Sequence, residues 1–176
     1  MTNPYKTIVT AEAREVELTY HEPMFPFDAE RVRGIKIIAF DNEGRILGVK
    51  KGRTYDIPSG CQEWEDDTFE ETAYREANEQ AQVTLGQITL AAVIEEALKG
   101  SEEATTYTLV MTGMVKEMEP MLSEKEHKRA FLTKSNFLKR YRFGNPEALR
   151  VLIEMTEFAV VNKRSTRINR KHLKSH

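Results

Sequence analysis

The feature that most constrains this chain is a bent loop that runs into a strongly capped, acidic helix. Ile57-Pro58-Ser59-Gly60 is extended and then irregular, because Pro58 pushes Ile57 out of the helical region and Gly60 permits a sharp bend. Further on, Thr68-Phe69-Glu70-Glu71 is a capping box: the threonine oxygen accepts from the backbone of residue 71 while Glu71 reaches back, which predicts a helix over 69–81. Phe69, Ala73 and Ala77 give that helix a thin apolar stripe, and Glu76, Glu79 and Gln80 share a different face. The segment is rich in acids (Glu63, Glu65, Asp66, Asp67, Glu70, Glu71, Glu76, Glu79) and is interrupted by Arg75. A run of this kind on a helix is commonly a solvated face. Here the loop delivers the chain into the helix and two carboxylates stand one turn apart, which suits a hard cation such as Mg²⁺ that takes one or two carboxylates plus substrate phosphates.

Periodicity organises the rest. Val16, Leu18 and Tyr20 alternate with Glu17 and Thr19 as an amphipathic strand, which the proline-containing stretch 22–27 ends. Two apolar runs, 35–40 and 46–50, flank Asp41-Asn42-Glu43-Gly44 and predict an antiparallel hairpin. Strands are expected over 87–94 and 107–115, with Lys99-Gly100-Ser101 in the connection. Asn145-Pro146-Glu147 supplies an N-cap, a first-turn proline and a first-turn acid for a helix to about residue 161. Strands interleaved with two helices make a mixed α/β domain.

The chain has 176 residues, with 40% hydrophobic and 31% charged, enough for one folded domain with a small appendage. No apolar run is long enough to span a bilayer, and the first residues carry charges where an export signal needs an apolar stretch, so a cytoplasmic protein is expected. The single cysteine, Cys61, makes neither an internal disulfide nor a thiolate metal site, which fits a reducing compartment. His21, His127, His172 and His176 have no metal-ligand spacing. Residues 162–176 hold six basic side chains and no acid; the rest carries 20 basic against 28 acidic residues, a formal charge of −8. That acidic body suits a divalent-cation site and argues against a broad nucleic-acid surface, leaving the basic tail either as a solvated end or as an RNA or phosphate contact.

The stretch from Ile57-Pro58-Ser59-Gly60 through Thr68-Phe69-Glu70-Glu71-Thr72-Ala73-Tyr74-Arg75-Glu76-Ala77-Asn78-Glu79 resembles the signature of Nudix (MutT-type) hydrolases, G-x5-E-x7-R-E-U-x-E-E-x-G-U with U aliphatic. The likeness covers roughly residues 32–161. It implies a Nudix-type α/β/α sandwich with a mixed β-sheet, an N-terminal strand and loop extension over 1–31, and a basic tail over 162–176. It further implies metal-dependent cleavage of a pyrophosphate bond in a nucleoside diphosphate derivative, of nucleotide or nucleotide-sugar type, with Mg²⁺ or Mn²⁺ as cofactor. By this resemblance Glu76 and Glu79 ligate the metal or help activate water, Arg75 holds Glu79 across one helical turn, and Gly60 lets the loop backbone approach metal or phosphate. Asp67 and Glu126 complete the implied metal set, with Glu124 beside Glu126; surface solvation is the other reading of the last two.

Departures from the signature bear on activity. Six residues separate Gly60 from Asp67 where the family has five; either an insertion sits at or near Trp64, or Cys61 stands where a second glycine is usual. Asp67 then replaces the first glutamate and keeps the seven-residue spacing to Arg75. Gln80 replaces the last glutamate and Gln82 the glycine. An amide is a weaker Mg²⁺ ligand than a carboxylate, so the alternative is a catalytically weakened nucleotide-binding or regulatory module. Tyr55, Trp64, Tyr107 and Phe131 can stack on a base or fill sheet–helix interfaces, and Lys50, Lys51 and Arg53 can meet phosphate or water. Tyr55, Arg53 and Gly60 are the substrate-side candidates. The partners implied are a small nucleotide substrate and a homodimer formed through the N-terminal strand, without a membrane.

Overall fold

The computed structural model describes residues 3–121, 128–142 and 144–172, with side chains through residue 160. Its strands are β1 (Tyr5–Ala11), β2 (Arg14–His21), β3 (Val32–Phe40), β4 (Ile46–Lys51), β5 (Thr54–Asp56), β6 (Ser59–Gly60), β7 (Val83–Leu85), β8 (Thr89–Leu98), β9 (Thr106–Met118) and β10 (Lys128–Leu132). The helices are α1 (Phe69–Ala81), α2 (Lys134–Arg140) and α3 (Pro146–His172). The sheet runs β1-β2-β8-β9-β3-β4-β10, with β5 on β4, β6 on β3 and β7 on β9. β3 and β9 are parallel while the other strand pairs are antiparallel, so the sheet is mixed.

Alternation along the central strands splits the core in two. Ile35, Ile37 and Ala39 of β3 face α1, where they meet Ala73, Ala77 and Ala81. Ile38 and Phe40 face the other way, toward Phe137 of α2 and Leu149, Leu152 and Ile153 of α3. Successive strand side chains point to opposite faces, so a sheet with helices on both sides requires near-continuous apolar runs, and residues 35–40 are such a run apart from Lys36. This is the expected α/β/α sandwich. Burying alanines lets α1 lie close on the sheet, which brings its polar edge against the loop that ends at Gly60.

Local signals place α1 where the spacing predicts it. Thr68 accepts from Glu71 N at 3.1 Å and the Glu71 carboxylate accepts from Thr68 N at 3.2 Å, completing the capping box. Long-range pairing changes other expectations. The 35–40/46–50 hairpin is antiparallel but pairs in register only at Phe40 and Ile46, because β3 turns to β9 and β6 while β4 turns to β5 and β10. The N-terminal segment is a two-stranded hairpin, not one strand, and β2 joins it to the sheet along β8. The last helix runs beyond residue 161 to His172. Side chains from 161 onward lie outside the described residues, so the basic tail is not placed.

Candidate functional site

α1 and the loop before it meet around one guanidinium. Arg75 grips Asp66 with two nitrogens, Nε to Oδ1 at 3.1 Å and Nη2 to Oδ2 at 2.8 Å. Nη2 also donates to the Cys61 carbonyl at 3.0 Å, and Nη1 donates to Glu76 Oε1 at 2.9 Å and to Glu79 Oε2 at 3.4 Å. Glu63 Oε1 stands 3.6 Å from Nη1. A planar fork suits this task, since it can hold carboxylates from the loop and the helix at once. Arg75 hydrogen bonds hold the Asp66 carboxyl well below the usual carboxylate range, against the opposing effect of partial burial. Asp66 likewise pushes the Arg75 guanidinium further up.

Glu76 is the most enclosed carboxylate on α1, 8% exposed, with Arg75 on Oε1 and the Gln80 amide on Oε2 at 2.6 Å. Gln80 Nε2 also donates to the Ser59 carbonyl at 2.6 Å, so one amide ties helix, carboxylate and loop together. A Cβ at Gly60 would overlap the Glu76 carboxylate. Only glycine lets the loop backbone run this close to that carboxylate. Glu79 is more open, its side chain 56% exposed beside Arg75.

The first acid of the loop requires a correction. Asp67, expected in the first-glutamate position, is exposed, and what its backbone N–H meets is Glu71 Oε2 at 2.7 Å. Asp66 reaches Arg75 instead. From Gly60 to Asp66 the signature's five-residue interval is kept, and the additional residue falls between Asp66 and Arg75 rather than near Trp64. The spacing Gly60-x5-Asp66 was the signal that could have found it. Of the substrate-side candidates, Tyr55 is buried in the α3-side core, against Arg140, on the opposite face of the sheet from α1. Arg53 is exposed in the turn between β4 and β5. Tyr107 packs near Phe25 and Phe27, Phe131 lies under Arg45, and Trp64 is 90% exposed. Glu124 and Glu126 lie outside the described residues. On the α3 face, Tyr20, Lys36, Ile57, Glu96 and Tyr141 help line a cavity of about 400 Å³. Burial pushes the Tyr20 phenol up to about 12, so it is neutral at physiological pH.

Whether these residues suit a divalent cation can be asked of the donor set itself. Among the described residues no three His, Cys, Asp or Glu side chains converge as a cage. Arg75 engages Asp66, Glu76 and Glu79 alike and position 80 offers an amide; Glu79 is the most open of these carboxylates, with Glu76 one turn before it on the helix. That set fits a cation that takes two protein carboxylates and completes its shell with water and phosphate oxygens.

No family model matches the chain, and no curated protein matches its sequence. Solved structures do. The Bacillus subtilis pyrophosphohydrolase BsRppH superposes with a TM-score of 0.64 at 15% identity, over 88% of this chain and 97% of that one. The Nudix domain of Shewanella oneidensis NrtR, solved with ADP ribose, gives 0.56 at 14% identity, over 76% of this chain and 94% of the domain. The MutT protein of Bacillus halodurans gives 0.52 at 20% identity, over 68% and 81%. These agree in architecture with a mixed sheet flanked by α1 on one face and α2 and α3 on the other: the fold of this chain is the Nudix fold.

Proposed function

We propose that the chain hydrolyses a pyrophosphate bond in a nucleoside diphosphate derivative with the help of a divalent cation. The observation that carries this reading is the enclosed Glu76 carboxylate, held by Arg75 and Gln80 against a backbone at Gly60 that has no room for a side chain. Glu76 and Glu79 would hold Mg²⁺ or Mn²⁺, with substrate phosphates filling the rest of the shell. Bound there, the cation offsets phosphate charge and makes water a better nucleophile at neutral pH. The protein's own part is positional. Arg75 fixes the orientation of Glu76, Asp66 fixes Arg75, and Gly60 lets the loop backbone run against the Glu76 carboxylate. The ADP ribose bound to one similar structure and the pyrophosphohydrolase activity named for another support a pyrophosphate-containing nucleotide as substrate.

A second reading is favoured by Gln80. Its amide occupies Glu76 Oε2 and contributes no charge, which is what a nucleotide-binding module without turnover could keep. Mn²⁺ titration by calorimetry tests the shared premise. The wild-type chain is expected to bind Mn²⁺ in the millimolar range or tighter, with Glu76→Gln weaker by tenfold or more. Equal affinity in both proteins would remove Glu76 from the site.

A further inference from the structure

Trp64, the one tryptophan of the chain, has 90% of its surface in water at the tip of the loop between Gly60 and α1. A large indole this exposed contributes little to the core and leaves its π-face open to a ligand. The loop that carries it is not loose. Trp64 and Glu65 are the central residues of a turn closed by Asp66 N donating to the Glu63 carbonyl at 3.0 Å. Asp66 Oδ2 accepts back from Glu63 N at 3.0 Å, and the Gln62 amide donates to the Asp66 carbonyl at 2.9 Å. The same Asp66 carboxylate is gripped by Arg75. Glu63, next to Trp64, approaches the Arg75 nitrogen that also holds Glu76 and Glu79. The indole is thus mounted on a braced turn, one residue from a side chain that shares a guanidinium nitrogen with both proposed metal carboxylates.

We infer that Trp64 is a stacking platform for the nucleobase of the substrate, with the diphosphate lying toward Glu76 and Glu79. This rests on the nucleotide-hydrolase reading and adds its specificity. Stacking uses the π-face that all bases share, so discrimination among bases is weak, with purines favoured by ring area. The platform needs no change in the fold when the base arrives, because its turn is already closed.

Because the chain has a single tryptophan, its emission reports on this position alone. The probes are ADP, GDP and inorganic pyrophosphate, each with Mg²⁺. ADP and GDP are expected to quench the emission with similar midpoints, and pyrophosphate to bind by calorimetry without quenching. Trp64→Ala is expected to weaken ADP about tenfold while leaving pyrophosphate affinity unchanged, and Trp64→Phe to restore most of the loss. Circular dichroism melting of both variants, expected to match the wild type because the side chain is exposed, checks that they are folded. ADP binding that neither quenches Trp64 nor weakens in Trp64→Ala overturns the platform and moves the base elsewhere, the cavity beside Lys36 and Tyr141 being the rival seat; the hydrolase reading then stands. Failure of all three probes to bind removes that reading and the platform with it.

Discussion

Asparagine at position 66 keeps the shape of the aspartate and removes the charge that Arg75 grips. Charged hydrogen bonds of this kind contribute roughly 1.5–3 kcal/mol, so Asp66→Asn is expected to lose about 2 kcal/mol and several degrees of melting temperature. The effect has a pH signature. Arg75 lowers the folded-state pKa of Asp66, so its stabilisation is fully present above the unfolded value of about 3.9 and is lost as pH falls below it toward the lower folded value. Urea midpoints of wild type and Asp66→Asn should therefore differ by a constant amount above about pH 5 and draw together progressively as the pH falls below about 4. A gap that persists at low pH would mean that the Asp66 charge is not what stabilises this position. Asp66 and Asp67 have the same chemistry in the sequence, and counting back from Arg75 selects the wrong one. Which of them meets the guanidinium depends on how the turn at 63–66 closes, a matter of backbone path rather than residue type.

At the scale of elements, α1 was legible because its start is local: a capping box is a pattern of neighbours, and the helix begins and ends where that pattern and the apolar spacing put it. Its end shows what the sequence did not convey. Gln82, which replaces a glycine of the signature, adopts the left-handed conformation at φ 51° and caps the helix there. It is accommodated by its own amide on the Asn78 carbonyl at 3.1 Å and by Arg129 donating to the carbonyls of Ala81 and Gln82. A side chain in this region costs roughly 1 kcal/mol relative to glycine, so Gln82→Gly is expected to raise stability by about 0.5–1 kcal/mol in chemical denaturation. A loss would mean that the Gln82 amide outweighs the backbone strain. The clasp between α1 and the loop makes a second prediction. In Gln80→Glu a carboxylate replaces the donor that faces Glu76 and the Ser59 carbonyl, placing two like charges together. That variant is expected to melt several degrees lower without divalent cation and to regain more stability from Mg²⁺ than the wild type, because a cation would relieve the repulsion. An unchanged response to Mg²⁺ would separate position 80 from the metal site.

Over the whole molecule, the sandwich follows from strands that are apolar on both faces and from a helix that opens after Gly60. The order of strands does not follow from local pattern. The parallel pairing of β3 with β9, the short β7 and the placement of β10 are contacts between distant segments, and α2 is too brief to show a period. Tyr55 illustrates the same limit at the site. Its neighbours in sequence suggest a substrate contact, but the bridge between Tyr55 and Tyr141 draws it into the α3-side core. What the sequence did convey about function lies on one helix and its leading loop, where Arg75, Glu76, Glu79 and Gly60 come together as their spacing suggested. The measurement that most directly tests their joint role is turnover. Phosphate or pyrophosphate release, phosphatase-coupled where needed, would be followed over nucleoside triphosphates, dinucleoside polyphosphates, ADP-ribose and nucleotide sugars in Mg²⁺ and Mn²⁺, with Glu76→Gln in parallel. Expected is cation-dependent release from at least one class, reduced by a hundredfold or more in Glu76→Gln; no release from any compound by the folded wild-type protein, or equal release by the variant, would contradict the hydrolase.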